Sequence, residues 1–117
     1  MSNGINEKKP HECTNIVEVR NEIDNIDREI VRLLAERLGY VKEVVKYKDP
    51  TPEAILATER RDAVLKSRRE WAEELGFNPD TTEEIYKILI GYCIEEETKL
   101  ADPSSVLTKE GDNKTTK

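Results

Sequence analysis

Little in this chain can support metal or thiol chemistry. Its two cysteines, Cys13 and Cys93, stand far apart with no CxxC and no histidine cluster beside them, which removes the usual zinc spacings. Two reduced, free thiols are expected. The single histidine, His11, lies in a polar leader and reads as a solvated residue rather than a catalytic one. Aromatics are scarce, one Trp, four Tyr and one Phe, so the core must be modest and mostly aliphatic. With five Gly and five Pro the chain is neither fibrous nor low in complexity. No apolar run approaches the roughly 18 residues of a membrane span; Ile88 to Ile94 is as long as they come, and Gly91 interrupts it. Residues 1–12 are polar and lack an apolar signal region, so a cytoplasmic protein is expected, with a flexible arm at its start. A basic excess is missing as well. The net charge of -6 argues against nucleic acid as a main partner, because a phosphate backbone needs a concentrated cationic surface.

What is abundant is charge of both signs, 38 % of residues, over 36 % hydrophobic ones, the balance of long solvated helices. No stretch alternates with the period of a strand. The pattern predicts an all-α chain of three helices, one long and two shorter, in a single domain over residues 13–101 with a polar, disordered tail at 102–117. The long helix runs from Ile16 to Lys48. Ile16, Val19, Ile23, Ile26, Ile30, Leu33 and Leu34 step along it by threes and fours, and Asn15 with Glu18 has the spacing of a capping box. At about 1.5 Å per residue this helix would be near 50 Å long, against a radius of gyration near 13 Å for a globule of about 100 residues. It overhangs its own domain, and its unbroken apolar stripe favours a second chain as the cover.

Asp49-Pro50-Thr51-Pro52 ends that helix, with one helical turn allowed after Thr51. A second helix is predicted from Thr58 to Leu75, stopped by Gly76, with Ala63, Val64, Leu65, Ser67, Trp71, Ala72 and Leu75 inward. Thr81 with Glu84 signals the start of a third, which ends near Leu100 to Asp102 ahead of Pro103. On it Ile85, Leu89, Tyr92 and Glu96 form one row and Tyr86, Ile90, Cys93 and Glu97 the next.

Several charged residues fall where a core should be. Arg37 interrupts the apolar stripe, and Lys48 follows eleven residues later, within about 20° around a continuous helix and about 16 Å along it. Each can be a stripe-edge residue with its head snorkelled to water. Glu97 can equally belong to a solvated Glu95-Glu96-Glu97 run, and Glu59 and Arg60 can be ordinary first-turn residues. Arg20 lies about 26 Å from Arg37 along the same helix, so the two cannot meet on a small ligand within one molecule. In an antiparallel dimer of long helices, Arg20 of the partner subunit would reach Arg37 and Lys48.

The set Val19-Arg20, Ile23-Asp24, Ile26-Asp27, Leu33-Leu34-Ala35-Glu36-Arg37, Lys46-Tyr47-Lys48, Glu59-Arg60 and a polar Glu97 on the last helix resembles the all-helical chorismate mutase family over about Cys13 to Leu100. Within it, Glu12-Cys13-Thr14, Tyr40-Val41-Lys42, Glu59-Arg60 and Trp71-Ala72-Glu73-Glu74 look closest to the isochorismate-pyruvate lyase branch. The resemblance implies an intertwined homodimer with two sites, each borrowing one arginine. Arg20 would be that arginine and, with Arg37, would bind the substrate's carboxylates. Lys48 would reach a carboxylate and the ether oxygen whose bond breaks, Glu59 the ring hydroxyl and Glu97 the far side of the ether oxygen, with Arg60 supporting the pocket.

These residue types suit the chemistry on their own terms. Chorismate is a dianion, for which arginine forks give bidentate, always-charged contacts. A pericyclic rearrangement needs no nucleophile, metal or cofactor; a fixed lysine donor stabilises the charge that gathers on the ether oxygen. Two positions depart from the family pattern. Glu97 replaces the Gln common in mutases and donates a hydrogen bond only when protonated, so activity is predicted to rise toward acidic pH. Ile55 stands where enteric-type mutases place an Asp on the ring hydroxyl, which leaves recognition to Glu59 and backbone groups. The leading expectation is chorismate to prephenate. The alternatives are isochorismate-pyruvate lyase, using the same cations, and a non-catalytic helical module for dimerisation or regulatory chorismate binding.

Overall fold

The computed structural model describes residues 8–101, and all of its regular structure is helical. The elements are α1 (Ile16–Val44), α2 (Pro52–Leu56), α3 (Thr58–Leu75) and α4 (Pro79–Ala101), with single 3₁₀ turns at Pro10–Glu12 and Val45–Tyr47. The expected tail at 102–117 and the first seven residues of the expected arm lie outside the described residues. No strand occurs among the described residues. The chain divides into two compact units, one ending at Gly39 and the other beginning at Tyr40, so the boundary falls inside α1.

In the first unit, the Asn15 side chain accepts the Glu18 N–H at 2.9 Å, the expected cap. The Glu18 carboxylate reaches one residue further back than a capping box requires and accepts the Thr14 N–H at 2.9 Å. That backbone bond, and then the Lys8 ammonium at 2.9 Å, hold the Glu18 carboxyl below the ordinary carboxylate range. Residues 8–12, part of the expected arm, are described as far as this ion pair and the Pro10–Glu12 turn. No residue of α1 is buried, and its stripe is open, with Ile16 59 %, Ile23 50 % and Leu33 47 % exposed.

In the second unit α3 packs against α4, and α2 packs against α4 as well. The core is small: Ile55 from α2, Val64, Leu65 and Ala72 from α3, and Thr82 and Cys93 from α4. Burial of aliphatic side chains of this size stabilises a fold by about 1.5–3 kcal/mol each. Ala63, Trp71 and Leu75, expected inward, are exposed. Leu75 sits at the last position of α3, and Trp71 is covered on one face by the Arg68 guanidinium, 4.4 Å from the ring centre. Gly76 adopts φ 80°, the left-handed backbone that a side chain disfavours, and the Phe77 N–H returns to the Ala72 carbonyl at 2.8 Å to close α3.

Two boundaries differ from expectation. α4 begins at Pro79, with the Asn78 side chain accepting the Thr81 N–H at 2.8 Å, so Asn78 rather than Thr81 is the cap. A proline at the first helical position has no N–H to leave unsatisfied. α1 stops at Val44 and its last turn tightens into the 3₁₀ turn Val45–Tyr47. Lys48 then takes an extended backbone, φ -114° and ψ 148°, and the angular relation expected of a continuous helix from Arg37 to Lys48 does not apply.

Candidate active site

The second unit contains a salt bridge that is buried rather than solvated. The Lys48 Nζ donates to Glu97 Oε1 at 2.9 Å and to the main-chain carbonyl of Ile55 at 3.3 Å. The side chains are only 21 % and 8 % exposed. Three elements make the site. The 3₁₀ turn after α1 brings the chain to an extended Lys48, α2 presents the Ile55 carbonyl, and the inward row of α4 carries Glu97 one helical turn after buried Cys93. Of the two rows read on this helix, the one through Cys93 and Glu97 is buried at those two positions, and Glu97 does not belong to a solvated run. Its neighbour Glu96 pairs with Lys99 at 3.2 Å and approaches Lys42 at 3.9 Å.

A buried carboxylate is costly unless an opposite charge compensates it. Lys48 supplies that charge, and its second acceptor is a helix C-terminal carbonyl, where a cation is favoured. An ammonium has three N–H donors, so one remains for a ligand after the two bonds seen here. The arrangement therefore offers a fixed cationic donor beside a carboxyl that can accept or, when protonated, donate. No cluster of metal-ligating side chains occurs among the described residues.

The other expected site residues are placed by element and exposure. Glu59 and Arg60 occupy the first turn of α3 and are exposed. Arg20 is exposed and Arg37 is half-buried, both in the first unit. The Ile55 carbonyl is a site group that residue types alone do not reveal, since any residue has one. No residue signal names it; Thr51-Pro52 marks only where α2 starts. Thr51 accepts the Ala54 N–H at 3.1 Å.

No described helix is long and apolar enough to cross a membrane. Residues 19–98 match the family model for chorismate mutase type II. An isochorismate pyruvate lyase from Pseudomonas aeruginosa is 38 % identical over 92 residues, 79 % of this chain and 90 % of that protein. A T-protein from Haemophilus influenzae is 40 % identical over 70 residues, 60 % of this chain but 19 % of that protein. A T-protein from Enterobacter agglomerans is 39 % identical over 69 residues, 59 % of this chain and 18 % of that protein. The family match takes in Lys48, Glu97 and every other expected site residue, and the chain belongs to the chorismate mutase type II family.

Proposed function

We propose that the protein is a chorismate mutase, an enzyme that rearranges chorismate to prephenate, acting as a cytoplasmic homodimer. The observation that carries this reading is the buried Lys48–Glu97 pair in a chain of this family. Lys48 donates to the ether oxygen as the C–O bond lengthens, and because its position is fixed beforehand it stabilises the transition state more than the substrate. Glu97 reaches the same oxygen from the other side, donating through its O–H when protonated, while its Oε1 keeps the bond from Lys48. Arg37 and Arg20 of the partner subunit grip the two carboxylates and hold the enolpyruvyl arm in its reactive conformer. Glu59 binds the ring hydroxyl and Arg60 supports the pocket.

The dimer rests on two supports. The apolar stripe of α1 is uncovered in the single chain, and contiguous exposed apolar surface of this kind marks an interface. A site for a dianion also gains from the second arginine. Ile23→Asp, in the middle of the stripe, is expected to shift the protein to monomer in size-exclusion chromatography and to abolish turnover; an unchanged elution volume would contradict the dimer.

A second reading has its own support. The Pseudomonas relative is matched over nearly all of its length, and the same cations could hold isochorismate while its C–O bond breaks to release salicylate and pyruvate. Incubating the pure protein with each substrate separates the two. Prephenate from chorismate supports the mutase, salicylate fluorescence from isochorismate supports the lyase, and turnover of neither contradicts both.

A further inference from the structure

Ala57 is the non-glycine residue with a left-handed backbone among those described, at φ 46° and ψ 61°. It is also all that separates two helices, since α2 ends at Leu56 and α3 begins at Thr58. Its N–H ends the α2 ladder on the Glu53 carbonyl at 3.0 Å, and its own carbonyl opens the α3 ladder by accepting the Arg61 N–H at 2.9 Å. If Ala57 were right-handed, residues 52–75 would continue as one helix, and the Ile55 carbonyl would be taken by the N–H four residues on, that of Glu59. The left-handed step leaves the Ile55 carbonyl among the orphan acceptors at the end of α2, where Lys48 takes it at 3.3 Å. Alanine brings no side-chain bond to offset this backbone, which disfavours any residue with a Cβ. The surroundings hold it in place: Ile55 is buried to 5 % exposure and α2 packs on α4.

We propose that Ala57 is a positioning residue for Lys48. Its left-handed backbone withholds the Ile55 carbonyl from the α3 ladder and presents it to the Lys48 ammonium. Two of the three ammonium hydrogens are then fixed, by Ile55 and Glu97, and the third has a single direction left to point. A lysine on a flexible stem becomes a pre-aimed donor. This rests on Lys48 being the donor to the breaking bond.

The test compares substitutions that tolerate the left-handed backbone, Ala57→Gly and Ala57→Asn, with one that does not, Ala57→Val. The readouts are kcat and KM on the substrate turned over, melting temperature, and the side-chain ammonium signal in ¹⁵N NMR, with Lys48→Ala assigning the Lys48 peak. Expected is a protected Lys48 peak in the wild type, retained in the Gly and Asn variants with kcat within about twofold. In folded Ala57→Val the peak should broaden and kcat should fall about tenfold with KM little changed. In the Lys48→Ala background, Ala57→Val should cost nothing further in kcat, which a general loss of structure would not produce. A folded Val variant with the native peak and kcat overturns the proposal, and so does a tenfold loss of kcat in the Gly variant at native melting temperature. If the Val variant does not fold, the wild-type peak decides: an unprotected ammonium overturns the proposal. If neither substrate is turned over the functional reading fails, while the ammonium signal still decides the positioning.

Discussion

The two ends of α4 hold ion pairs of nearly the same length and opposite character. Near its start, Arg69 Nη1 meets Asp80 Oδ1 at 2.9 Å and Glu83 Oε1 at 2.8 Å, with the Arg69 and Asp80 side chains 40 % and 85 % exposed. Near its end, Lys48 meets Glu97 at 2.9 Å with the acid 8 % exposed. Water and salt screen the first cluster, so its worth is that of a surface clasp between α3 and α4. The second is withdrawn from water, where the same charges interact more strongly and each leaves the other costly if removed. Distance therefore does not distinguish a structural pair from a candidate catalytic one; burial does.

Breaking the buried end should have the largest effect. Lys48→Ala is expected to lower kcat by about 10²–10³-fold, the usual loss on removing one pre-aimed donor. It should also cost about 3–5 kcal/mol of stability, because Glu97 is left buried without its cation. Steady-state kinetics and denaturant melts check both, and a Lys48→Ala protein with near-native kcat would place the chemistry elsewhere. Arg37→Ala should match the loss in turnover. An unfolded variant would assign Arg37 to the core instead.

At the other end, Arg69→Ala should leave kcat and KM as they are. Hydrogen bonds from Lys87 and then Arg69 hold the Glu83 carboxyl below the ordinary carboxylate range. A carboxyl held low contributes stability above that range and loses it as pH falls toward its folded value. The acid-side decline in melting temperature should thus be shallower in Arg69→Ala than in the wild type. An equally steep decline would show that the clasp contributes nothing measurable. A large loss of activity in Arg69→Ala would break the contrast between the two ends.

The fold was legible where local chemistry decides it. α3 occupies the span expected from its apolar positions and Gly76, and the start of α1 at Asn15 follows from one side-chain bond. The all-α class and the two rows of the last helix are matters of period alone, and packing decides that the row through Cys93 and Glu97 is buried at those two positions. What periodicity missed was set by competition between neighbours. The Val45–Tyr47 turn tightens before Asp49-Pro50, which takes Lys48 off the helix, and Pro79 starts α4 ahead of Thr81. In the site, Glu97 was legible as a charge in an apolar row, and Lys48 and Glu97 both as members of a family pattern. The Ile55 carbonyl and the left-handed Ala57 were not, because a backbone direction carries no residue signature. Nor does a single chain's pattern place Arg20 against another chain.

The central claim is that Glu97 and Lys48 act together on the breaking ether bond, and a double-mutant cycle on kcat tests it most directly. Lys48→Ala and Glu97→Ala are each predicted to lower kcat, and the double variant is predicted to lose little more than Lys48→Ala alone, because the two side chains act as one unit. Losses that multiply in the double variant would contradict it.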